Sequence, residues 1–215
     1  MKKKDKIELV SSELDEMFPA ARCELNYNRD YELLLAVMLS AQTTDKRVNL
    51  VTGPLFRNYN SLEKLDKLSI SEIEEAIKSI GMYKQKTKHF KEIVSEIKQK
   101  GFVPNDREYL MTLPGVGRKT INVVLSNLFD EPAIAVDTHV DRVSKRLGFA
   151  KESDSVLEVE NKLMKAFPKN RWTRLHHQMV LFGRYKCKAI KPECNGCPFF
   201  EICKEKHKNL DLTKD

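Results

Sequence analysis

The chain has 215 residues, enough for one large domain or two small ones around a real core. With 38 Lys and Arg against 31 Asp and Glu, the formal charge of +7 suits a polyanionic partner, although an ordinary lysine-rich surface gives the same balance. No apolar run follows Met1-Lys2-Lys3-Lys4, and the longest, Leu33 to Leu39, is far too short to span a bilayer. A secretion signal and a membrane span are therefore not expected, and the reading is a cytoplasmic monomer.

In chain order, Lys6 to Phe18 carries Ile7, Val10, Leu14 and Met17 at helical spacing and stops at Pro19. Tyr31 to Ser40 is apolar nearly all round, which predicts a buried helix. It runs into a polar break, Ala41-Gln42-Thr43-Thr44-Asp45. The next helix starts at Asp45, and Gly53-Pro54 is expected to close it. Ser61 to Leu68 is a short helical stretch. Ser69-Ile70-Ser71-Glu72 fits a capping box for a further helix bearing Ile73, Ile77 and Ile80. Gly81 reads as its C′ stop, which leaves Met82-Tyr83 exposed. Gln85 to Lys100 repeats the pattern and Gly101 ends it.

Leu113-Pro114-Gly115-Val116-Gly117-Arg118-Lys119-Thr120 lies between a short helix, Asn105 to Met111, and a longer one, Thr120 to Phe129. Pro114 restricts its own φ, and both glycines can take φ > 0 without steric cost. Such a turn can aim backbone N–H groups at one phosphate oxygen beside the positive end of the next helix. Those donors position a nucleic acid without reading its bases. A plain helix–turn–helix corner fits the same spacing. Ala133-Ile134-Ala135-Val136 is the one strand-like run, and with no partner it reads as an extended connector. Asp137 follows as the N-cap of a helix stopped by Gly148. Ser155 to Phe167 and Trp172 to Tyr185 are the last helices. His176 and His177 lie on the latter without a metal-spaced partner, so they read as core or surface residues.

Cys187, Cys194, Cys197 and Cys203 follow the spacing C-x6-C-x2-C-x5-C, so four of the five cysteines fall within 17 residues. In a cytoplasmic protein this argues for a metal site rather than disulfides, and four thiolates suit either Zn²⁺ or an iron–sulfur cluster. Cys23 stands apart as a small core residue. Lys186, Lys188 and Lys191 make the loop basic.

Taken together, the hairpin motif, Ala135-Val136-Asp137-Thr138-His139, the cysteine spacing, Leu39-Ser40-Ala41-Gln42 and Gly81-Met82-Tyr83 resemble the endonuclease III family. The likeness runs from about Tyr31 to Cys203. It implies an all-α fold of two helical domains with a DNA-binding cleft between them. A six-helix domain over 23–132 would hold the helix-hairpin-helix, and 1–22 with 133–215 would form the cluster domain. It further implies a [4Fe–4S] cofactor on Cys187, Cys194, Cys197 and Cys203, and a base excision repair activity on duplex DNA. The substrates implied are oxidised or damaged pyrimidines and abasic sites.

Residue by residue, Lys119 matches the catalytic amine and Asp137 the catalytic carboxylate. Gln42 matches a residue that fills the gap left by the extruded nucleotide. Met82 falls where the family has an apolar wedge, often leucine. Gly115, Val116, Gly117 and Arg118 on the hairpin, with Lys188 and Lys191 on the cysteine loop, complete the expected DNA contacts. Lysine must be neutral to attack a sugar: the helix N-terminus, burial and the nearby Arg118 would lower the pKa of Lys119, a close Asp137 would raise it, and the sequence leaves the balance open. Two rivals share features. The adenine-mismatch glycosylases lack the lysine and carry a glutamate before the Val-Met-Leu where Ala36 stands here. A non-catalytic redox sensor on DNA would need neither Lys119 nor Asp137.

Overall fold

The computed structural model describes residues 2–210, and every regular element among them is helical. In chain order these are α1 (Lys3–Met17), α2 (Asp30–Leu39), α3 (Asp45–Asn58), α4 (Leu62–Lys67), α5 (Ile70–Ile77) and α6 (Tyr83–Lys100). They continue with α7 (Arg107–Thr112), α8 (Arg118–Leu128), α9 (Thr138–Arg146), α10 (Val156–Ala166), a 3₁₀ turn at Lys169–Arg171 and α11 (Trp172–Tyr185). No helix among the described residues is long and apolar enough to cross a membrane. The chain divides into two compact units, Glu24–Glu131 and Met1–Cys23 with Pro132–Asp215.

The unit Glu24–Glu131 is built round α2, whose residues Tyr31 to Leu39 are all buried. A helix apolar on every side can sit only where other helices cover it, and α3, α6 and α8 do so. Each fully buried leucine there contributes about 1.5–3 kcal/mol. The one buried charge on this helix, Glu32, is only 1% exposed and is fully engaged: it accepts from Asn28 N at 2.7 Å and from Arg29 Nη1 at 2.8 Å. Among the described residues the unit holds α2 to α8, of which α4 and α7 are only six residues long.

Two expected stops are not where the sequence suggests. Gly53-Pro54 does not close α3, which runs on to Asn58. Gly53 has no Cβ to clash with the proline ring, and continuing the helix buries Leu55 and Phe56. That burial offsets the roughly 3 kcal/mol cost of an interior proline. Gly81 is not a left-handed stop either. Helix α5 ends at Ile77, and the left-handed residue is Met82 (φ 56°). Gly101 (φ 82°) and Gly148 (φ 67°) do end helices as expected.

The other unit packs α1, α9, α10 and α11 around Val10, Leu14, Val140, Val143, Leu163, Leu175, Met179 and Phe182. Residues 133–136 form the expected extended connector, and all four are buried. Helix α9 comes closest to α11 at Gly183: a Cβ there would stand 2.9 Å from His139 Cβ and 3.3 Å from His139 Cα. Gln178, fully buried on α11, donates to Leu14 O at 3.1 Å and to Asp15 Oδ1 at 2.8 Å, which closes the C-terminal end of α1. His176 and His177 are buried on the same helix, with ring centroids 4.8 Å apart.

Asp15 ties α1 to α11 through Arg171 (2.7 Å) and Arg174 (2.9 Å). The hydrogen bond from Arg171, then that from Gln178, hold its carboxyl below the usual carboxylate range against the effect of burial. A depressed carboxylate stabilises the fold above its unfolded pKa of about 3.9, and this contribution is lost as pH falls through the lower folded value. Asp15→Asn should therefore lower the melting temperature at pH 7. The gap to the parent protein should close below about pH 3.9. A gap that stays constant from pH 7 to pH 3 would mean that charge is not what Asp15 contributes.

Candidate functional site

The hairpin between α7 and α8 is built from one left-handed glycine, not two. Gly115 has φ 73°, whereas Gly117, the N-cap of α8, is extended at φ −100°. Val116 is 5% exposed and its N–H donates back to Leu113 O at 3.2 Å, so its side chain anchors the turn and its amide is spent inside. Gly115, Gly117 and Arg118 are exposed. The amides of Gly115 and Gly117 have no acceptor among the described residues, so the turn keeps donors for an outside anion beside the N-terminus of α8. The hairpin rests on α6: a Cβ at Gly115 would lie 2.5 Å from His89 Nδ1.

Lys119 is the second residue of α8 and is exposed, contrary to the expected burial. The apolar face of α8, with Ile121, Val124 and Leu125, turns inward, and that rotation leaves the residues at 118 and 119 outside. Asp137 belongs to the other unit. It caps α9, with Oδ1 accepting from His139 N and Val140 N, both at 2.9 Å. Its second oxygen takes no hydrogen bond from the described residues, so one oxygen holds the helix and the other is available for chemistry.

Gln42 and Met82 stand on neighbouring loops of Glu24–Glu131. Both are exposed and both are left-handed at φ 56°. A Cβ on Gly81 would lie 3.8 Å from Gln42 O, so the two loops abut.

The four C-terminal cysteines, all with free thiols, line one cavity together with Arg146, Phe182, Pro192 and Phe200. Among the described residues, no three His, Cys, Asp or Glu side chains are grouped so as to hold a single metal ion. Burial pushes the Cys187 and Cys197 thiols up; Arg146 opposes this at Cys187, and the Phe199 backbone at Cys197. Thiolates here therefore call for positive charge inside the cavity.

Helix α9 supplies the frame. Arg142 donates to Cys187 O (3.0 Å) and Gly183 O (2.7 Å). Arg146 donates to Cys187 Sγ (3.4 Å) and Lys188 O (2.7 Å), and pairs with Glu205 (2.8 Å). Reading the sequence missed both arginines, although their i, i+4 spacing on one helix face was a usable signal. It also missed Glu193, which pairs with Lys186 (3.0 Å) and Lys188 (2.8 Å). Lys188 is thus half-neutralised, while Lys191, exposed and left-handed at φ 49°, has no partner among the described residues.

Gly115→Ala should destabilise the protein by about 1–3 kcal/mol, because alanine is strained at φ 73° and its Cβ meets His89. Gly117→Ala should be tolerated, since nothing lies within 4 Å of its Cβ position. Urea unfolding of the two variants checks this, and equal losses would contradict the geometry.

Comparison with known proteins places these features in a family. A family model described as HhH-GPD superfamily base excision DNA repair protein matches residues 35–169. The chain is 49% identical to Endonuclease III of Bacillus subtilis (strain 168), covering 94% of this chain and 93% of that one. It is 40% identical to Endonuclease III of Escherichia coli (strain K12), covering 97% and 99%. Among solved structures it is similar to a trapped endonuclease III–DNA covalent intermediate, an estranged-adenine complex, with 49% identity, a TM-score of 0.90 and coverage of 95% and 97%. A non-covalent endonuclease III–DNA complex matches with the same identity and TM-score, covering 95% and 96%.

Proposed function

Because the chain belongs to the endonuclease III family within the HhH-GPD superfamily of base excision DNA repair proteins, we propose that it is a bifunctional DNA glycosylase and abasic-site lyase acting on damaged pyrimidines in duplex DNA. One observation carries the reading: an anion-ready hairpin is followed within two residues of its second glycine by an exposed lysine, so anchor and nucleophile share one turn. The adenine-mismatch reading is disfavoured by Lys119 and Ala36, and the non-catalytic one by Lys119 with Asp137. A cytoplasmic or nucleoid location suits this substrate.

The hairpin amides hold a phosphate of the damaged strand and carry no base information. The damaged base leaves the stack, at lower cost than a normal one because its pairing and stacking are weaker. Gln42 and Met82 occupy the vacated space. Lys191 adds a phosphate contact from the cysteine loop, with Lys188 contributing less because Glu193 shares its charge.

Lys119 Nζ, as the neutral amine, attacks C1′ of the sugar. The C1′–N bond to the base breaks, and the base leaves with the electron pair and takes up a proton. The C1′–O4′ bond then opens and a Schiff base forms between C1′ and Nζ. This acidifies the C2′ proton; its removal expels the 3′ phosphate by β-elimination, and water then frees the lysine. The available oxygen of Asp137 stabilises positive charge on the sugar and helps move protons.

We assign Cys187, Cys194, Cys197 and Cys203 to a [4Fe–4S] cluster. The four thiols line one cavity, and four thiolates are the ligand set that such a cluster takes. When bound, the cluster supplies a four-point cross-link for the loop that carries Lys188 and Lys191. Protein purified anaerobically should contain iron and sulfide and absorb broadly near 400 nm, roughly as thiolate-bound clusters do. Cys194→Ser should lose both, and Cys23→Ser should retain them. Zinc without iron would overturn the assignment.

With a duplex carrying one thymine glycol, borohydride added during reaction should trap a covalent adduct that peptide mapping places on Lys119. Lys119→Gln should abolish trapping and strand cleavage while binding survives. Asp137→Asn should slow base release by roughly 10²–10⁴. Its melting temperature against that of the parent separates the loss of chemistry from the loss of the α9 cap. A folded Lys119→Gln protein that still traps would place the nucleophile elsewhere.

A further inference from the structure

Lys86, on the inner side of α6, is 4% exposed, and no carboxylate pairs with it among the described residues. Its three ammonium protons instead meet three neutral acceptors: Leu39 O at 2.9 Å, Ala41 O at 2.5 Å and Thr43 Oγ1 at 3.4 Å. Leu39 is the last residue of α2, where unpaired carbonyls and the negative end of the helix dipole favour a cation. Ala41 and Thr43 are the two neighbours of Gln42. The ammonium therefore sits beneath the loop that displays Gln42 and holds it on both sides.

The backbone of the same residue holds the second loop. Lys86 N donates to Met82 O at 3.1 Å, closing the first turn of α6. Gln42 and Met82 both keep φ 56°, a conformation non-glycine residues hold only where their surroundings over-determine it. Lys86 bonds to both loops at once, to the first through its ammonium and to the second through its backbone N–H. A lysine suits the task because it brings three donors to one point and no acceptor.

We propose that Lys86 is a positioning residue for lesion extrusion: its ammonium locks the Gln42 loop against the Met82 loop, so both side chains enter the gap in the duplex as one unit. This rests on the reading that Gln42 and Met82 fill that gap. Lys86 touches neither the sugar nor the base, and acts through the two side chains that do the filling.

The experiment compares the full-length parent, Lys86→Met, Lys86→Arg, Gln42→Ala/Met82→Ala and the triple variant Lys86→Met/Gln42→Ala/Met82→Ala. Each is titrated with a duplex bearing a reduced abasic-site analogue and with the undamaged duplex of the same sequence. Lys86→Met should weaken binding to the analogue roughly 10-fold, as misplacement of side chains at a site does, with undamaged duplex changed by less than about 2-fold. Lys86→Arg, which keeps charge and donors, should recover part of the loss. In the Gln42→Ala/Met82→Ala background, Lys86→Met should cost nothing further.

Equal losses on both duplexes, or a full additional loss in the double-alanine background, would make Lys86 merely structural and overturn the proposal. If Gln42→Ala/Met82→Ala loses discrimination while Lys86→Met does not, the Lys86 proposal alone falls. If the double-alanine variant keeps its discrimination, the gap-filling reading falls first. Should Lys86→Met fail to fold, Thr43→Val removes one acceptor of the same ammonium from the partly exposed side. It should lower discrimination by a smaller factor, and parental discrimination there would overturn the proposal.

Discussion

The close approach of α9 to α11 at Gly183 is the constraint on which the unit formed by the two chain ends depends. A side chain there would force the helices apart, since a Cβ would meet both the side chain and the backbone of His139. Bringing α9 that close lets Arg142 reach the carbonyls of Gly183 and Cys187, and lets Arg146, one turn on, reach the Cys187 sulfur. The first turn of the same helix is where Asp137 caps and keeps one oxygen available. Helix packing, the proposed carboxylate and the cysteine cavity are thus set by one interface. Small shifts in it would move all three, because packed cores are not continuously deformable.

In Glu24–Glu131 the organising element is different. A helix buried on every side, α2, has no face left for a ligand, so it meets the outside only at its ends. The polar break after it carries Gln42, and a buried ammonium joins that break to the start of α6. The hairpin before α8 rests on α6 through Gly115 and His89. Strained, exposed residues therefore sit directly on rigid supports, the arrangement that lets a site hold its geometry without substrate.

Charge on the cysteine loop is more discriminating than the net value suggests. Three lysines lie in it, but Glu193 engages two, which leaves Lys191 as the cation aimed at solvent. A phosphate contact needs a cation not already committed, so fewer of these lysines are free to make one than the basic sequence implies.

Much of this was determined by the sequence by itself. Period-3.6 patterns, the Ser69 capping box, Gly101, Gly148 and the N-cap at Asp137 are local signals, and local hydrogen bonding decides them. The cysteine spacing and the hairpin motif are legible for the same reason, since each is a short-range requirement for donors or ligands. Tertiary structure alone decided the rest. Pro54 stays inside α3 because packing against other helices buries Leu55 and Phe56. The left-handed residue is Met82 rather than Gly81, at the place where this loop abuts the Gln42 loop. Lys119 is exposed because the apolar face of α8 fixes the helix rotation. Arg142, Arg146 and Lys86 are ordinary charged residues in the sequence; only folding, by removing water and bringing their partners from tens of residues away, gives them their contacts.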